Sequence, residues 1–384
     1  MKVLFYADTV FGFGGVQRVL AVVAKGIAAR HDVTILTTDK PAGEDIYGYE
    51  GSGISFVHIA FDSPHDAQYW ACKVVSGIYK TLKLKQHRAY ERSFFLPRFR
   101  RKLVKAVNEG HYDVVVGVHA FFSLHLAAVR ECLNAGTVIA WMHNSYEALF
   151  LKENPYLPRL HDFFFHEMGK VDEVVVLSHA DEALFGKFIT NVRAIYNPLT
   201  LTPRGRGGRS MKMLAVGRFS PRHKGFDILI RAFALFAQGN DEWTLEIVGE
   251  GDEEPLYRRM IAEARLEGRV RLSPFTKDIQ SHYASAGIYI LSSRWEGFGL
   301  VLVEAMAHGL PVISSDVPVA KELIDGRGVG VLFRNGDPAD LAEKMAAMVR
   351  SDRKRMSDNA IDYAGTFSLD AVCRQWEEAF RKSQ

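Results

Sequence analysis

Two charged residues in the second half of the chain have the spacing and chemistry to hold a diphosphate. Arg218 and Lys224 lie six residues apart, between an apolar run at Met213–Val216 and the next helical pattern. A guanidinium presents a planar fork of donors and an ammonium a point charge, so together they suit two phosphates. For this pair alone, a solvated turn with ordinary surface charges is the alternative.

A second loop combines two acids with glycines. Glu296 and Glu304 lie eight residues apart, and the segment between them is glycine-rich and then apolar. Gly297 and Gly299 allow a ligand close to the backbone, and the amides from Gly297 to Leu300 favour an anion. In this interpretation Glu296 binds sugar hydroxyls and Glu304 ribose hydroxyls. The alternative makes Glu296 a first-turn helix acid and Glu304 a surface residue, although an acid on an apolar helix flank needs a polar partner.

A glycine loop also follows the first apolar run of the chain. Gly14 and Gly15 would let a phosphate or an acceptor approach the start of a helix. The spacing Gly12-x-Gly14-x-x-Gln17 nearly matches a dinucleotide fingerprint, and Asp39 ends the second predicted strand. Because Gln17 replaces the third glycine and a lone glycine motif is weak, a dehydrogenase is disfavoured.

Short β-branched runs alternate with helical patterns through both halves, which predicts doubly wound parallel sheets. Residues 197–210 contain two prolines, three glycines and no periodicity, which indicates an interdomain linker. We therefore predict an α/β protein with two Rossmann-like domains, 1–197 and 198–366, facing a cleft, and a C-terminal helix in 367–384 that crosses back to the first domain. Ligands in such folds bind at the carboxyl ends of strands, where these loops lie. The predicted strands are Val3–Ala7, Val33–Thr37, Ile54–Ile59, Val114–Val118, Val138–Met142, Val174–Leu177, Met213–Val216, Leu245–Val248, Ile288–Leu291, Val312–Ser314 and Val329–Phe333.

The composition excludes several protein classes. The chain has 384 residues, of which 48% are hydrophobic and 24% charged, so it is not disordered, collagen-like or disulfide-stapled. Cys72, Cys132 and Cys373 form no C-x-x-C pair, which predicts a reducing compartment and no zinc site of the usual spacing. The first apolar run is too short for a signal peptide, so we expect a cytoplasmic protein.

Three segments carry a resemblance to a known family. EGFGLVLVE, GRFSPRHKGFD and FGFGGVQR together resemble the GT-B glycosyltransferases of family 4, and the resemblance extends over the whole chain in the expected order. It implies transfer of a sugar from a nucleotide-sugar, with UDP the commonest donor nucleotide, and retention of anomeric configuration. It also implies that no metal or other cofactor takes part, and the sequence contains no Asp-x-Asp.

The resemblance also implies roles for individual residues. Arg218 and Lys224 would bind the donor diphosphate, Glu296 the transferred sugar and Glu304 the ribose. His143 matches the place of a cleft histidine important for activity, although a structural histidine is the alternative. The predicted catalytic set is His143, Arg218, Lys224 and Glu296. The donor set adds Gly14, Gly15, Gly249, Gly251, Gly297, Phe298, Gly299, Leu300 and Glu304, the base would lie near Pro274–Ile279, and Gln17 and His119 are expected on the acceptor side.

Positive charge is concentrated in one segment. Residues 73–105 hold eleven Lys or Arg and a single acid, Glu91, which leaves a net −7 on the rest of a +3 chain. Aromatic residues interleave with these cations, a pattern that fits an anionic lipid surface. No nucleic-acid motif accompanies them, so nucleic acid is not an expected partner. A solvated helical face remains the alternative. The cations assigned to this basic patch are Lys83, Lys85, Arg88, Arg98, Arg100, Arg101 and Lys102.

Together these features predict a hexosyltransferase on the inner face of the cytoplasmic membrane. Its acceptor would be a saccharide or a lipid-linked molecule of cell-surface polysaccharide or lipopolysaccharide synthesis. Two other classes stay open at this point: a different GT-B enzyme, such as a nucleotide-sugar epimerase or a phosphorylase, and a non-catalytic partner of another transferase.

Overall fold

The computed structural model describes residues 1–39, 45–60, 66–82, 87–208, 210–220 and 222–381, with the backbone alone at 88, 89 and 92. The chain forms two compact units, Met1–Pro198 with Leu369–Gln384, and Leu199–Ser368. Each unit contains a parallel sheet with helices between its strands. The predicted α/β class with two Rossmann-like domains is thereby confirmed.

The first unit is built on a seven-stranded sheet in the order β3-β2-β1-β4-β5-β6-β7, with every pair parallel. Its central strands are continuous buried apolar runs, as expected where helices cover both faces. The strands are β1 (Lys2–Ala7), β2 (Asp32–Thr37), β3 (Ser55–His58), β4 (Val114–Val118), β5 (Thr137–Trp141), β6 (Glu173–Val176) and β7 (Val192–Ala194).

Helices connect these strands. In chain order they are α1 (Gly15–Ala28), α2 (Ala67–Leu82), α3 (His87–Phe94), α4 (Pro97–Gly110), α5 (Ala120–Val129), α6 (His161–Met168) and α7 (His179–Phe185), with a π-helical turn at Glu147–Leu151. The last helix of the chain, α15 (Leu369–Arg381), also belongs to this unit and packs on α1. Its Trp376 is buried edge-to-face on Trp141, with ring centroids 4.8 Å apart, and Glu377 accepts a bond from Arg30 at 2.9 Å.

The second unit has a six-stranded parallel sheet in the order β10-β9-β8-β11-β12-β13. Its strands are β8 (Lys212–Val216), β9 (Thr244–Val248), β10 (Val270–Ser273), β11 (Ile288–Leu291), β12 (Val312–Ser315) and β13 (Gly330–Phe333). Its helices are α8 (Phe226–Phe236), α9 (Glu254–Glu263), α10 (Ile279–Ser285), α11 (Leu300–Ala307), α12 (Pro318–Ile324), α13 (Pro338–Val349) and α14 (Arg353–Ala364).

Each sheet has one place where the strand order reverses. In the first unit the reversal lies between β1 and β4, and in the second between β8 and β11. The connections leave in opposite directions at such a point, so the loops after the two strands part and leave a crevice where ligands bind. The loops that follow these four strands therefore include the positions where chemistry is expected.

Two strands escaped prediction, and both lie at sheet edges. β7 has only three residues, all half-buried, and β10 carries the exposed Arg271 between buried ends. β7 is too short, and β10 is interrupted by a charged residue, so neither shows the continuous apolar run that marked the central strands.

Candidate active site

The site of the second unit begins with two loops that are fastened together. The loop after β8 ends in Gly225, and the loop after β11 starts at Ser292. A Cβ at Gly225 would lie 2.0 Å from the carbonyl oxygen of Ser292, and the backbone there has φ 64°. Only glycine fits this close approach without displacement. The Ser292 hydroxyl also donates to the Lys224 carbonyl at 2.8 Å, so the two loops have fixed relative positions.

An arginine that the sequence analysis did not select strengthens this junction. Arg294 forms a two-pronged ion pair with Asp227 of α8, at 2.9 and 2.8 Å. Burial would raise the pKa of Asp227, but the hydrogen bonds and charge of Arg294 hold it below its usual value. The His223 ring stacks on Trp295, 4.8 Å between centroids, and its Nε2 bonds to the Trp295 carbonyl. Paired Arg and Asp in GRFSPRHKGFD and SRWEGFG were the available signal.

Lys224 and Glu296 form a salt bridge in this structure. Lys224 Nζ lies 2.6 Å from Glu296 Oε1, and Ser293 Oγ donates to the same oxygen at 2.6 Å. Both side chains are largely buried, with 15% and 9% of their surfaces exposed. Burial alone would raise the pKa of the Glu296 carboxyl, but the charges of Lys224 and His223 hold it below its usual value. The two predicted residues are therefore brought together as a charged pair.

Arg218 is positioned differently from Lys224. It is exposed, and its guanidinium forms no ion pair with any of the described residues. The Lys224 side chain runs beside the adjacent Gly217, where a Cβ would lie 3.0 Å from Lys224 Cγ. The carboxyl end of β8 thus presents one cation committed to a carboxylate and one open to solvent, an arrangement suited to an anionic ligand.

The N-terminus of α11 adds backbone donors to this region. Gly299 caps the helix in the left-handed conformation, with φ 80°, and no side chain caps its first amides. No acid lies in the first turn, so the partial positive charge at this helix end is available to an anion. Leu300 opens the helix, and Gly297 precedes Phe298, whose buried ring packs on Phe367 with centroids 5.9 Å apart. Phe298 can thus offer its backbone to a ligand but not its ring.

Glu304 is buried rather than on the helix surface. Only 1% of it is exposed, and both carboxylate oxygens accept hydrogen bonds from hydroxyl groups. Thr200 Oγ1 donates to Oε1 at 3.0 Å, and Tyr283 OH to Oε2 at 3.1 Å. The surface-residue alternative for Glu304 is therefore wrong, and the expected polar partners are present. Thr200 and Tyr283 were not predictable as partners of Glu304, because they lie 104 and 21 positions away along the chain.

The remaining predicted donor residues of this unit, Gly249 and Gly251, follow β9. Their loop pairs with the one after β8: the amide of Gly217 donates to Val248 at 3.0 Å and that of Phe219 to Glu250 at 2.7 Å. The loops after β8, β9 and β11 thus lie at the carboxyl end of the second sheet, and those after β8 and β11 flank the point where the strand order reverses.

In the first unit, the glycine loop is held by a tyrosine. Gly14 caps α1, and its amide donates to the Tyr47 hydroxyl at 3.1 Å, while this hydroxyl donates to the Gly12 carbonyl at 3.0 Å. Gln17 donates to Thr9 Oγ1 at 2.8 Å, so its side chain closes the loop on itself. Gly15 begins the helix. Tyr47 was not predictable as a partner of this loop, because it lies 33 residues from Gly14.

His119 and His143 follow the neighbouring strands β4 and β5. His119 caps α5 at φ 79°, a conformation unusual for a residue with a side chain, and its Nε2 donates to Asn144 Oδ1 at 3.1 Å. Burial lowers the pKa of His119, although the bond to Asn144 opposes this. Burial, reinforced by the nearby His119, lowers the pKa of His143 to about 3. Its Nε2 is buried without a hydrogen-bond partner in the part of the chain described.

The imidazole rings of His119 and His143 are therefore neutral at pH 7. They can donate and accept hydrogen bonds, but they supply no positive charge. The His143 ring lies against Trp141, 4.3 Å between centroids.

The structure changes the interpretation of the basic patch. Lys83 and Lys85, and the side chain of Arg88, lie outside the described residues. Arg98 pairs with Asp66 at 2.5 Å and Arg100 with Glu91 at 3.1 Å, whereas Arg101 and Lys102 are exposed. The interleaved aromatics do not reach a surface: Tyr79, Tyr90, Phe95 and Phe99 are buried in the first core, and Phe94 packs against it. The expectation that these rings form an interface is wrong, because they pack the helices α2, α3 and α4 against the core of the first unit.

Among the described ranges, no cluster of three or more His, Cys, Asp or Glu could hold a metal ion. In the same ranges, no helix has the length and apolar character required to span a bilayer.

Comparison with known proteins assigns both units. The model for "Glycosyltransferase Family 4" matches residues 13–202, and that for "Glycosyl transferases group 1" matches 204–363. An uncharacterised glycosyltransferase of Haemophilus influenzae is 26% identical over 98% of this chain and 99% of its own. A phosphatidyl-myo-inositol mannosyltransferase of Mycobacterium leprae is 32% identical, over 42% of this chain and 43% of its own.

A similar solved structure is that of Anabaena Alr3699/HepE in complex with UDP and glucose. It has a TM-score of 0.76 at 20% identity and is covered over 100% of both chains, so it shows a common fold. The two family matches together cover most of both units. The first contains the glycine loop at Gly14 and Gly15, and the second contains the loops of Lys224 and Glu296. The chain belongs to the GT-B glycosyltransferases of family 4 and is a glycosyltransferase enzyme.

Proposed function

We propose that the enzyme transfers a hexose from a UDP-sugar to a saccharide or lipid-linked acceptor, with retention of anomeric configuration. The observation that carries the proposal is the edge of the second sheet where the strand order reverses. There an exposed arginine, a lysine and an uncapped helix N-terminus lie on adjoining loops. Two cations and a helix end are what a diphosphate requires, and a carboxylate beside them suits sugar hydroxyls.

In the proposed donor complex, Arg218 and Lys224 bind the diphosphate with the amides of Gly297–Leu300. Because Lys224 is paired with Glu296 in this structure, donor binding has to share or replace that contact. A phosphate oxygen would then take over the ammonium, and the carboxylate would accept from hydroxyls of the hexose. Glu304 would accept from the ribose through the oxygens now facing Thr200 and Tyr283.

Retention would follow from attack on the face that the diphosphate leaves. The bond between the anomeric carbon and the phosphate oxygen breaks, and the acceptor oxygen bonds to the same face. The acceptor proton passes to the departing diphosphate. The protein contributes positioning and charge stabilisation, which are the roles of Arg218 and Lys224.

The first unit would bind the acceptor. Its glycine loop at Gly14 and Gly15 and the neutral His119 and His143 offer hydrogen bonds without charge. His143 Nε2, buried and without a partner among the described residues, would bond to a hydroxyl. The mycobacterial relative named for phosphatidyl-myo-inositol supports a lipid-linked acceptor. The basic patch would bring the enzyme to the inner face of the cytoplasmic membrane, in cell-surface polysaccharide or lipopolysaccharide synthesis.

A panel of nucleotides tests the donor assignment. UDP at 100 times its Kd should stabilise the native state by about 2.7 kcal/mol, and ADP and GDP should give smaller shifts in Tm. R218A should abolish the UDP shift and reduce turnover about 10²-fold, whereas R204A, at an exposed arginine of the same unit, should change neither. An unchanged UDP shift in R218A would refute the diphosphate site. The NMR anomeric coupling of the product tests retention.

A further inference from the structure

Helix α2 presents an apolar face to solvent. Trp70, Val74, Ile78 and Leu82 are spaced four residues apart and are 58%, 59%, 48% and 64% exposed. At 100° per residue these side chains, with the 41% exposed Val75, lie within an arc of about 140°. Isolated exposed apolar residues are ordinary, but a continuous stripe along a four-turn helix marks an interaction surface.

The opposite side of the same helix is fixed in the protein core. Tyr79 is buried and stacks on Tyr90 of α3, with centroids 4.0 Å apart. Its hydroxyl lies 2.6 Å from His87 Nδ1, and the Ser76 hydroxyl lies 3.2 Å from that of Tyr90. Because these hydroxyl contacts point inward, the helix cannot rotate to bury its apolar stripe. Tyr79 and Ser76 thus bond toward α3, while the large apolar side chains of the stripe face solvent.

The charge beside the stripe is positive. Between residues 67 and 90 the sequence contains no Asp or Glu, and Lys73 and Lys80 lie on α2 itself. By helical geometry both lysines fall together on one flank of the stripe, next to Trp70. Asp66, immediately before the helix, is paired with Arg98 at 2.5 Å.

We propose that α2 is an interfacial helix that inserts its Trp70–Val74–Ile78–Leu82 face into the surface of an anionic bilayer. A helix with an aromatic and aliphatic face flanked by lysines lies in the headgroup region, with its cations toward anionic lipid. A second copy of this chain fits less well, because it would bring the same lysines against each other. The inference deepens the proposed function, since it gives the acceptor-binding unit a lipid surface on which a lipid-linked acceptor resides.

This assignment differs from the basic patch. The patch depends on cations of 83–102, of which Arg98 and Arg100 are paired with acids, and on rings that prove to be buried. The α2 surface depends on apolar insertion, so it predicts binding that salt weakens but does not abolish.

Vesicle binding by the whole protein tests the inference. Vesicles of phosphatidylglycerol and phosphatidylcholine should sediment the wild type, and vesicles of phosphatidylcholine alone should bind it at least 10-fold more weakly. V74S/I78S/L82S should lose at least 10-fold in affinity for the anionic vesicles. L235S/L256S removes two comparably exposed leucines from the second unit and should bind as wild type. Melting temperature and circular dichroism verify that each variant is folded.

Tryptophan fluorescence locates the contact. Trp70 is exposed, Trp141, Trp243 and Trp376 are buried, and Trp295 is half-buried against His223 in the second unit. A blue shift on anionic vesicles should therefore occur in the wild type and disappear in W70F. Wild-type affinity of the folded triple variant, or a shift that persists in W70F, would overturn the proposal. The proposal would also be overturned if the wild type formed a dimer without lipid and V74S/I78S/L82S were a monomer under the same conditions. UDP binding without vesicles is measured in parallel, because its loss would count against the donor site and not against α2.

Discussion

Replacing Lys224 by methionine should affect stability and catalysis by separable amounts, because Lys224 is paired with Glu296. K224M keeps most of the aliphatic stem of Lys224 but removes its ammonium. The Glu296 side chain, 9% exposed, then keeps only the Ser293 hydroxyl of the two donors that contacted its Oε1. Removing one partner of a buried ion pair costs about 3–5 kcal/mol. For a domain the size of the second unit, Leu199–Ser368, each kcal/mol lowers Tm by about 2–4 °C, so we expect its Tm to fall by roughly 10 °C.

The pH dependence of stability should change sign in this variant. In the wild type the pKa of Glu296 is held below its usual value, so the pair stabilises the fold above that usual value and the stabilisation is lost as pH falls through the lowered pKa. In K224M burial is opposed only weakly and should raise the pKa of Glu296 above its usual value. The unfolding free energy should then decline as pH rises from 4 to 7.

The double variant K224M/E296Q separates the two effects. It contains no unpaired buried charge, so most of the lost stability should return, while turnover should remain reduced by about 10²-fold or more because the diphosphate has lost its ammonium. E296Q alone should keep UDP binding, since Lys224 is released to the phosphates, but should lose turnover with the UDP-sugar. K344M, on α13, serves as a surface-lysine control.

Urea unfolding across pH, UDP calorimetry and UDP-release assays supply the four-variant comparison. If the double variant regains turnover along with stability, Lys224 acts only as a structural partner of Glu296 and the donor assignment fails. If UDP binds E296Q much more weakly than wild type, the two residues do not exchange the contact as proposed.

Three further outcomes follow from other contacts. Y47F removes the hydroxyl that bonds to Gly14 and should reduce kcat/KM about 10-fold with little change in Tm, measured by steady-state kinetics, because only loop positioning is lost. The pKa of Glu246 is lowered to about 2, because its bonds to Lys212, at 2.8 Å, and to Ser273 outweigh the effect of burial. E246Q should therefore lower the unfolding free energy by up to about 3 kcal/mol at pH 7. In urea titrations this difference from the wild type should vanish as pH falls from 4.5 to 2. W376A should cost about 3–5 kcal/mol in the first unit by removing a fully buried ring, with UDP affinity unchanged by calorimetry.

The sheets were predictable because their central strands are apolar on both faces. The runs at Val114–Val118 and Ile288–Leu291 coincide with observed strands. The two edge strands were not predictable, since β7 is three half-buried residues and β10 contains an exposed arginine. Three residues, or a run broken by a charge, are too few consecutive apolar positions for a strand pattern, whereas the edge strand β3 was predicted although its residues are exposed.

The same limit applied to the basic segment. Tyr79, Tyr90 and Phe99 were interpreted as surface rings because cations surround them in sequence, yet they are buried. On α2, helical spacing places Tyr79 on the side opposite Trp70, so this buried ring could have been separated from the exposed apolar residues of the same helix. The cations in this segment thus predicted a charged surface, but their nearness in sequence did not show which of the apolar residues are also exposed there.

The site residues divide according to how far their partners lie along the chain. Lys224, Glu296 and the α11 N-terminus were recognisable because each motif is local and its chemistry depends on a few adjacent residues. What fixes their geometry is remote: Arg294 reaches back 67 positions to Asp227, and Thr200 reaches 104 positions to Glu304. These supporting contacts form only once β8 and β11 are neighbours, so the strand order has to be known before they can be inferred. The need for such partners could nevertheless be predicted from the sequence, since an acid in the apolar run LVLVEAM cannot be buried without hydrogen-bond donors. Sequence chemistry therefore established that Glu304 needs hydroxyl or cationic donors, and only the fold shows that Thr200 and Tyr283 supply them.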